Sequence, residues 1–247
     1  MHRRTALITG GSAGIGKAIT TMLITEGWAV TICGRDQAKL DATAKELGDN
    51  VTGVAANLAD PTAPDLLLTR HLEHHGTLDL LVNNVGIGKL SPIESKSDKD
   101  LDLEIALNFR SAFRLLRSCI PSLRASAATH GKSTVINVSS LVARQSPPNV
   151  SVYAATKAAL VALSHSAHAE LSRDGIQVTA LLPGFVETPG TTWAQPSATE
   201  PMMTADDVAE AVRFLLRTSA RCFVPELMLT TAGPGILHSP VDWEADD

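Results

Sequence analysis

The 247-residue sequence is poor in aromatic side chains, which make up 4% of it. That excludes an aromatic stacking platform for single-stranded nucleic acid. It also has no excess of positive charge: 21 Lys and Arg stand against 26 Asp and Glu, a net charge of −5. A broad basic footprint for nucleic acid or an anionic membrane is thereby excluded. Cysteine is scarce. Cys33, Cys119 and Cys222 form no CxxC pair and no Cys/His pattern of zinc-ligand spacing. They read as small buried residues kept reduced in a cytoplasmic setting. No run of about 20 apolar residues is present, so no membrane-spanning helix is expected. The opening MHRRTALITG is basic, but its apolar run breaks at Thr9-Gly10-Gly11. It reads as a strand and not as the core of a signal peptide. HLEHHG (71–76) lacks the HExxH order and any supporting Cys or carboxylate cluster. It reads as a solvated helix end, and no metal is expected.

What is present is ordinary for a soluble globular protein: 44% hydrophobic and 19% charged residues. Short apolar runs at 5–9, 28–33, 51–56, 78–82, 133–138, 176–182 and 226–231 read as strands. Helical spacing of apolar residues occupies 15–27, 36–47, 61–75, 98–120, 150–173 and 204–218. The strands are apolar on both faces, as in a parallel sheet covered by helices on both sides. The expectation is an α/β, doubly wound, seven-stranded parallel sheet. There is no internal repeat and no Pro/Gly/Ser-rich linker, so 1–247 reads as one domain. Residues 189–204 are expected to form a substrate loop, and 236–247 a weakly patterned tail.

TGGSAGIGKA (9–18) fits two motifs. Gly11, Gly16 and Lys17 spell a P-loop, GxxxxGK. Its final Ser or Thr, which would hold magnesium, is Ala18. The strand ends Asn83-Asn84 and Asn137-Val138-Ser139 offer no Asp for the same metal. The alternative needs only glycines. Gly10 permits a sharp turn, while Gly14 and Gly16 let backbone N–H groups and a helix N-terminus approach a pyrophosphate. The dinucleotide-binding, Rossmann-like reading is therefore preferred.

Tyr153 and Lys157, in YAATK, are four apart on an expected helix and share a face. An ammonium near a phenol favours the phenolate, which makes a general acid/base usable near neutral pH. Ser140 follows one strand and NNVG (83–86) another. Ligands of open parallel sheets bind at those carboxyl ends.

Taken in order, TGGSAGIG, NNVG, Asn108 in LNFRSAF, Ser140, Tyr153-x-x-x-Lys157 and PGFVET (183–188) resemble the short-chain dehydrogenase/reductase family over residues 4–231. The resemblance implies NAD(P)-dependent interconversion of alcohols and carbonyls. It implies that Tyr153 is the acid/base, that Lys157 holds the nicotinamide ribose, and that Ser140 binds the substrate oxygen. Asn108 would hold a helix kink and a relay water. It places the dinucleotide against Gly10, Ser12, Gly14, Ile15 and Gly16, then Arg35, Asn57, Leu58, Asn84 and Gly86. Tyr153 and Lys157 complete that surface with Pro183, Gly184, Val186 and Thr188, the last reaching the carboxamide.

The chain departs from the family pattern at the second strand, TICGRD. An NAD-selecting Asp would fall at Gly34, and Arg35 follows, suited to a 2′-phosphate. NADP(H) is therefore expected over NAD(H), with Asp36 capping the next helix. Asn57 replaces the usual adenine-contacting Asp, Val85 an Ala, and Ala143 a Gly. The rival from another class is a non-catalytic dinucleotide sensor or scaffold on the same fold. Such a protein would be expected to lose Tyr153 or Lys157. His165 and His168 read as packing or subunit contacts, and Met202 and Met203 as packing or lid. The substrate pocket is expected around 141–150, 189–204 and Lys89, with Trp193 as a cover. A homodimer or homotetramer built on helices 98–120 and 150–173 is expected from the family.

Overall fold

The computed structural model describes residues 3–192 and 201–232. Trp193, the middle of the 189–204 loop and the 236–247 tail lie outside the described residues. Strands and helices alternate in the order β1 (Thr5–Thr9), α1 (Gly14–Thr25), β2 (Ala29–Gly34), α2 (Gln37–Leu47), β3 (Val51–Ala55), α3 (Ala63–His75) and β4 (Leu80–Asn83). There follow α4 (Asp98–Ile105), α5 (Ser111–His130), β5 (Ser133–Val138), α6 (Val142–Gln145), α7 (Ser151–Leu171), β6 (Ile176–Pro183), α8 (Ala205–Arg217) and β7 (Glu226–Leu229).

The strands form one sheet in the order β3-β2-β1-β4-β5-β6-β7, and every pairing is parallel. This is the expected doubly wound arrangement. Successive residues of β1 point to opposite faces. Ala6 and Ile8 pack with Ile19 and Leu23 of α1 and Val208 and Val212 of α8. Leu7 packs on the other side with Leu67 of α3 and Leu115 and Leu123 of α5. The chain builds outward from β1 through β3, then returns to place β4 on the other side of β1. The crevice at that reversal is where open α/β sheets bind ligands.

Several boundaries differ from the sequence reading. The long helix expected at 98–120 is α4, a π turn at Ala106–Arg110, and α5 running to His130. Pro121 removes one ladder bond but does not end α5. Leu123 and Ala127 carry the apolar face onward into the core, and their burial outweighs the lost bond. Helix α3 starts at Ala63 rather than 61, with Pro64 in its first turn. His71 is no solvated helix end. It is fully buried, its Nδ1 paired with Thr31 Oγ1 at 2.9 Å and its Nε2 with the Thr77 carbonyl at 2.8 Å. Burial is the main reason its pKa falls to about 4. Cys33 and Cys119 are buried as expected, whereas Cys222 is exposed. His168 stacks on Phe223 with ring centres 3.3 Å apart, and the exposed His165 lies 3.0 Å from Glu226 Oε1.

Candidate active site

The turn between β1 and α1 is built for close backbone approach. Gly10 and Gly14 have φ of 70° and 49°, the left-handed region that glycine tolerates. A Cβ on Gly16 would stand 2.2 Å from the Gly10 carbonyl, so no side chain fits. Asn84 fixes this turn to the end of β4. Its Nδ2 donates to the Thr9 carbonyl at 2.9 Å, and its own N–H donates to Thr9 Oγ1 at 2.9 Å.

A cleft of about 640 Å³ opens at the same edge. It is lined by Gly14, Ile15, Asn84, Gly86, Ser140, Tyr153, Lys157, Pro183, Gly184, Val186 and Thr188 among others. Lys89, Leu141, Val142, Gln145, Val150 and Pro189 also line it.

The strands and helices place the polar groups. Ser140 follows β5, and its Oγ accepts from the Val142 N–H at 3.3 Å. Ser140 also hydrogen-bonds the Tyr153 phenol. Burial raises the phenol above the usual tyrosine range; the Ser140 bond opposes this, and the charge of Glu104 adds to it. The lowering therefore acts through Ser140 and not, as the spacing suggested, through Lys157. Lys157 Nζ lies 5.6 Å from the Tyr153 ring centre and donates to the Val138 carbonyl at 2.8 Å. Burial brings the Lys157 ammonium down to about 8.

Asn108 sits within the π turn, a feature often found at functional sites. Its Oδ1 accepts from Ile87 N–H at 2.8 Å, and its Nδ2 donates to the Ile87 carbonyl at 2.8 Å and Thr156 Oγ1 at 3.0 Å. A Cβ on Gly86 would meet Lys157 Nζ at 2.9 Å and Asn108 Oδ1 at 3.3 Å. The glycine in the loop after β4 thus leaves room for both side chains beside the cleft.

The remaining positions lie along the edge, toward β2 and β3. Arg35 is exposed and makes no ion pair or hydrogen bond among the described residues. Asp36 caps α2, accepting from the Lys39 N–H at 3.2 Å. A Cβ on Gly34 would lie 3.7 Å from Ser12 Oγ, in ordinary contact. Asn57 Oδ1 accepts from the Ala59 N–H at 3.2 Å, and Leu58 is buried in the core, leaving its backbone as the part it can offer. The Thr188 hydroxyl faces Thr191 Oγ1 at 3.2 Å, so reaching a carboxamide requires it to rotate. Two residues were missed. Gly88 lies against the Tyr153 ring, and Glu104 is buried one turn before Asn108. The four-residue spacing of Glu104 and Asn108 was the available signal for the second.

The model of the short chain dehydrogenase family matches residues 4–198. An uncharacterized oxidoreductase of Staphylococcus epidermidis is 30% identical over 93% of this chain and 97% of its own. A crystal structure of 3-ketoacyl-(acyl-carrier-protein) reductase from Brucella melitensis, complexed with NADH, superposes with a TM-score of 0.85 at 31% identity, covering 92% of this chain and 96% of that one. An alcohol dehydrogenase from the archaeon Thermococcus sibiricus, complexed with 5-hydroxy-NADP, gives 0.85 at 28% identity over 93% and 97%.

Proposed function

The chain belongs to the short chain dehydrogenase family, an enzyme of NAD(P)-dependent hydride transfer, and from that premise we propose that it interconverts a carbonyl and a secondary alcohol with NADP(H), using Tyr153 as general acid/base. One observation carries the reading: the Ser140–Tyr153 hydrogen bond and the buried Lys157 ammonium meet in a cleft beside a glycine turn that no side chain could enter. The cradle of Gly10, Gly14, Gly16 and Gly86 fits a dinucleotide, and Asn84 holds its shape. When bound, NADP(H) supplies the hydride.

The chain's own groups do the rest. Ser140 and Tyr153 bind the carbonyl oxygen, and in reduction Tyr153 donates its proton there as negative charge develops. Lys157, its Nζ 5.6 Å from the Tyr153 ring centre, would hold the ribose hydroxyls of the bound dinucleotide. Asn108, donating both Nδ2 hydrogens and accepting at Oδ1 from Ile87, keeps the π turn and the Ile87 backbone in place. A π turn leaves the helical ladder interrupted there, which suits a proton path to Lys157. Arg35 and Gly34 support NADP(H). Relatives are seen with either cofactor type, so the choice rests on those residues.

The reading extends to one catalytic domain, a substrate loop at 189–204 and a cytoplasmic homodimer or homotetramer. Phe113 on α5 and Leu66 on α3, 43% and 44% exposed, support a partner copy on that side. Light scattering at micromolar concentration checks the assembly; a monomer contradicts it. The function is tested by following NADPH oxidation against a panel of ketones, quinones and β-keto esters. Carbonyl-dependent oxidation with at least one class is expected. Tight NADPH binding with no turnover on any of them would point instead to a sensor.

A further inference from the structure

Glu104 on α4 is fully buried. Its Oε1 accepts from Lys96 Nζ, whose side chain is 7% exposed, and from the Lys89 N–H at 3.3 Å. Lys96 Nζ also donates to the Lys89 carbonyl at 2.7 Å. The ion pair therefore holds both backbone groups of Lys89. One helical turn on, Asn108 holds both backbone groups of Ile87 in the same way. Between the two grips lies Gly88. A Cβ on it would stand 3.2 Å from Cγ of Tyr153, so this backbone rests on the phenol ring.

A buried ion pair is a poor device for stability alone, since apolar residues of like volume serve as well or better. The second oxygen of Glu104, Oε2, is buried with no partner among the described residues. An unsatisfied buried carboxylate oxygen adds to that cost. What the pair does provide is a fixed position for a loop that carries no regular structure of its own.

We propose that Glu104, paired with Lys96, is a positioning residue for Tyr153: by gripping Lys89 it seats Gly88 on the phenol ring and sets the ring's place opposite Ser140. The inference rests on the acid/base reading of Tyr153. Charge gives a second link, because Glu104 raises the pKa of the phenol. The other charged groups around it are Lys96 and Lys89 on the loop before α4, Asp100 on α4, 3.9 Å from Lys89 Nζ, and Lys157 on α7.

Tyr153 is the chain's single tyrosine, so its ionisation can be followed directly by tyrosinate absorbance. The experiment compares Glu104→Leu, Glu104→Gln, Gly88→Ala and Tyr153→Phe by turnover, NADPH affinity and, where the phenol is kept, its titration midpoint. Glu104→Leu is expected to lower kcat roughly tenfold, the scale of a small misplacement of a reacting group, with NADPH affinity kept. Glu104→Gln retains an acceptor for Lys89, should recover most of that turnover, and should move the tyrosinate midpoint to lower pH. Parental kcat in Glu104→Leu overturns the proposal. So does a loss that Gln does not repair and that leaves the midpoint unmoved, which is simple structural damage. Should Glu104→Leu fail to fold, Gly88→Ala decides, because it displaces the ring with the ion pair intact; parental kcat there overturns the proposal. Tyr153→Phe keeps the two readings apart. Parental turnover in it sinks the acid/base role itself, whereas inactivity alongside parental Glu104 and Gly88 variants sinks only the positioning role.

Discussion

Ser140 and Tyr153 share a hydrogen bond that pulls the phenol down, while burial of the same phenol pushes it up and wins. The free protein should therefore show its single tyrosine titrating above the ordinary value of 10.0. Ser140→Ala removes the opposing bond and should raise the midpoint further. A midpoint at or below 10.0 in the parent would mean that the cleft is wetter than its packing shows. Tyr153→Phe should bind NADPH as the parent does and lose turnover by roughly 10²-fold or more, the scale of a lost general acid.

Lys157 is 3% exposed and has its pKa lowered to about 8 by burial, against 10.5 for a free lysine. A lysine lowered on folding costs stability while it must stay charged. That cost is complete below pH 8, shrinks as the pH rises, and vanishes above 10.5. Lys157→Met should thus be more stable than the parent at pH 7, by up to about 3 kcal/mol, and far less active. The lost Val138 bond reduces the gain. The difference in denaturant midpoint between the two proteins should narrow as the pH is raised through that window. A variant that is less stable at neutral pH would show that the ammonium is better compensated than its one hydrogen bond among the described residues implies.

His71 gives the opposite end of the pH scale. Its folded pKa is about 4 against a free value of 6.5, so the folded state prefers the neutral ring. Its contribution is complete above pH 6.5 and is lost as the pH falls toward 4. The loss should total about 3 kcal/mol across that interval. His71→Gln cannot take up a proton, so its stability should fall less steeply between those limits in urea titrations. Equal slopes in the two proteins would place the acid sensitivity elsewhere.

The sheet and the site differ in how far the sequence alone revealed them. Alternation of short Val/Ile/Leu runs with helical spacing was enough for the seven strands, because the inner strands are buried on both faces and must be apolar nearly throughout, while the edge strands β3 and β7 are only half-buried. Glycines of the turn were visible because Gly10 and Gly14 need a left-handed φ and Gly16 leaves no room for a Cβ against the Gly10 carbonyl. Residues 121–130 fell outside the helix read at 98–120, although the burial of Leu123 and Ala127 carries α5 on past Pro121. His71 was misread for a related reason: its partner Thr31 is forty residues away on β2 and leaves no local trace. Tyr153 and Lys157 could be paired by spacing, but not the direction of the Lys157 ammonium, which only the neighbouring strand end determines. Glu104 looks like an ordinary helix-surface charge, and Lys96 like a loop charge, until α4 is packed against α7.

Cofactor choice is the sharpest test of the proposed function, because three neighbouring residues make separate contributions. Arg35 is exposed and unpaired among the described residues, so its guanidinium is available. Asp36, the nearby carboxylate, is committed to the Lys39 N–H at 3.2 Å. Gly34 leaves open the space a discriminating carboxylate would fill, beside Ser12. A charge-assisted bond from Arg35 to a 2′-phosphate contributes on the order of 1.5–3 kcal/mol, and solvent screening holds it to the lower end. Arg35→Ala should weaken NADPH binding roughly tenfold while leaving NADH nearly unchanged. Added salt should weaken NADPH more than NADH in the parent. Gly34→Asp should go further, since it sets a negative charge against the phosphate and offers the ribose of NADH an acceptor. The new Cβ meets Leu40 at 3.5 Å and Ser12 at 3.7 Å, ordinary contacts that the fold accommodates. Dissociation constants for both cofactors across the three proteins decide the matter. A parent that prefers NADH, or an Arg35→Ala variant that weakens both cofactors equally, would make Arg35 a surface charge and the NADP(H) assignment wrong.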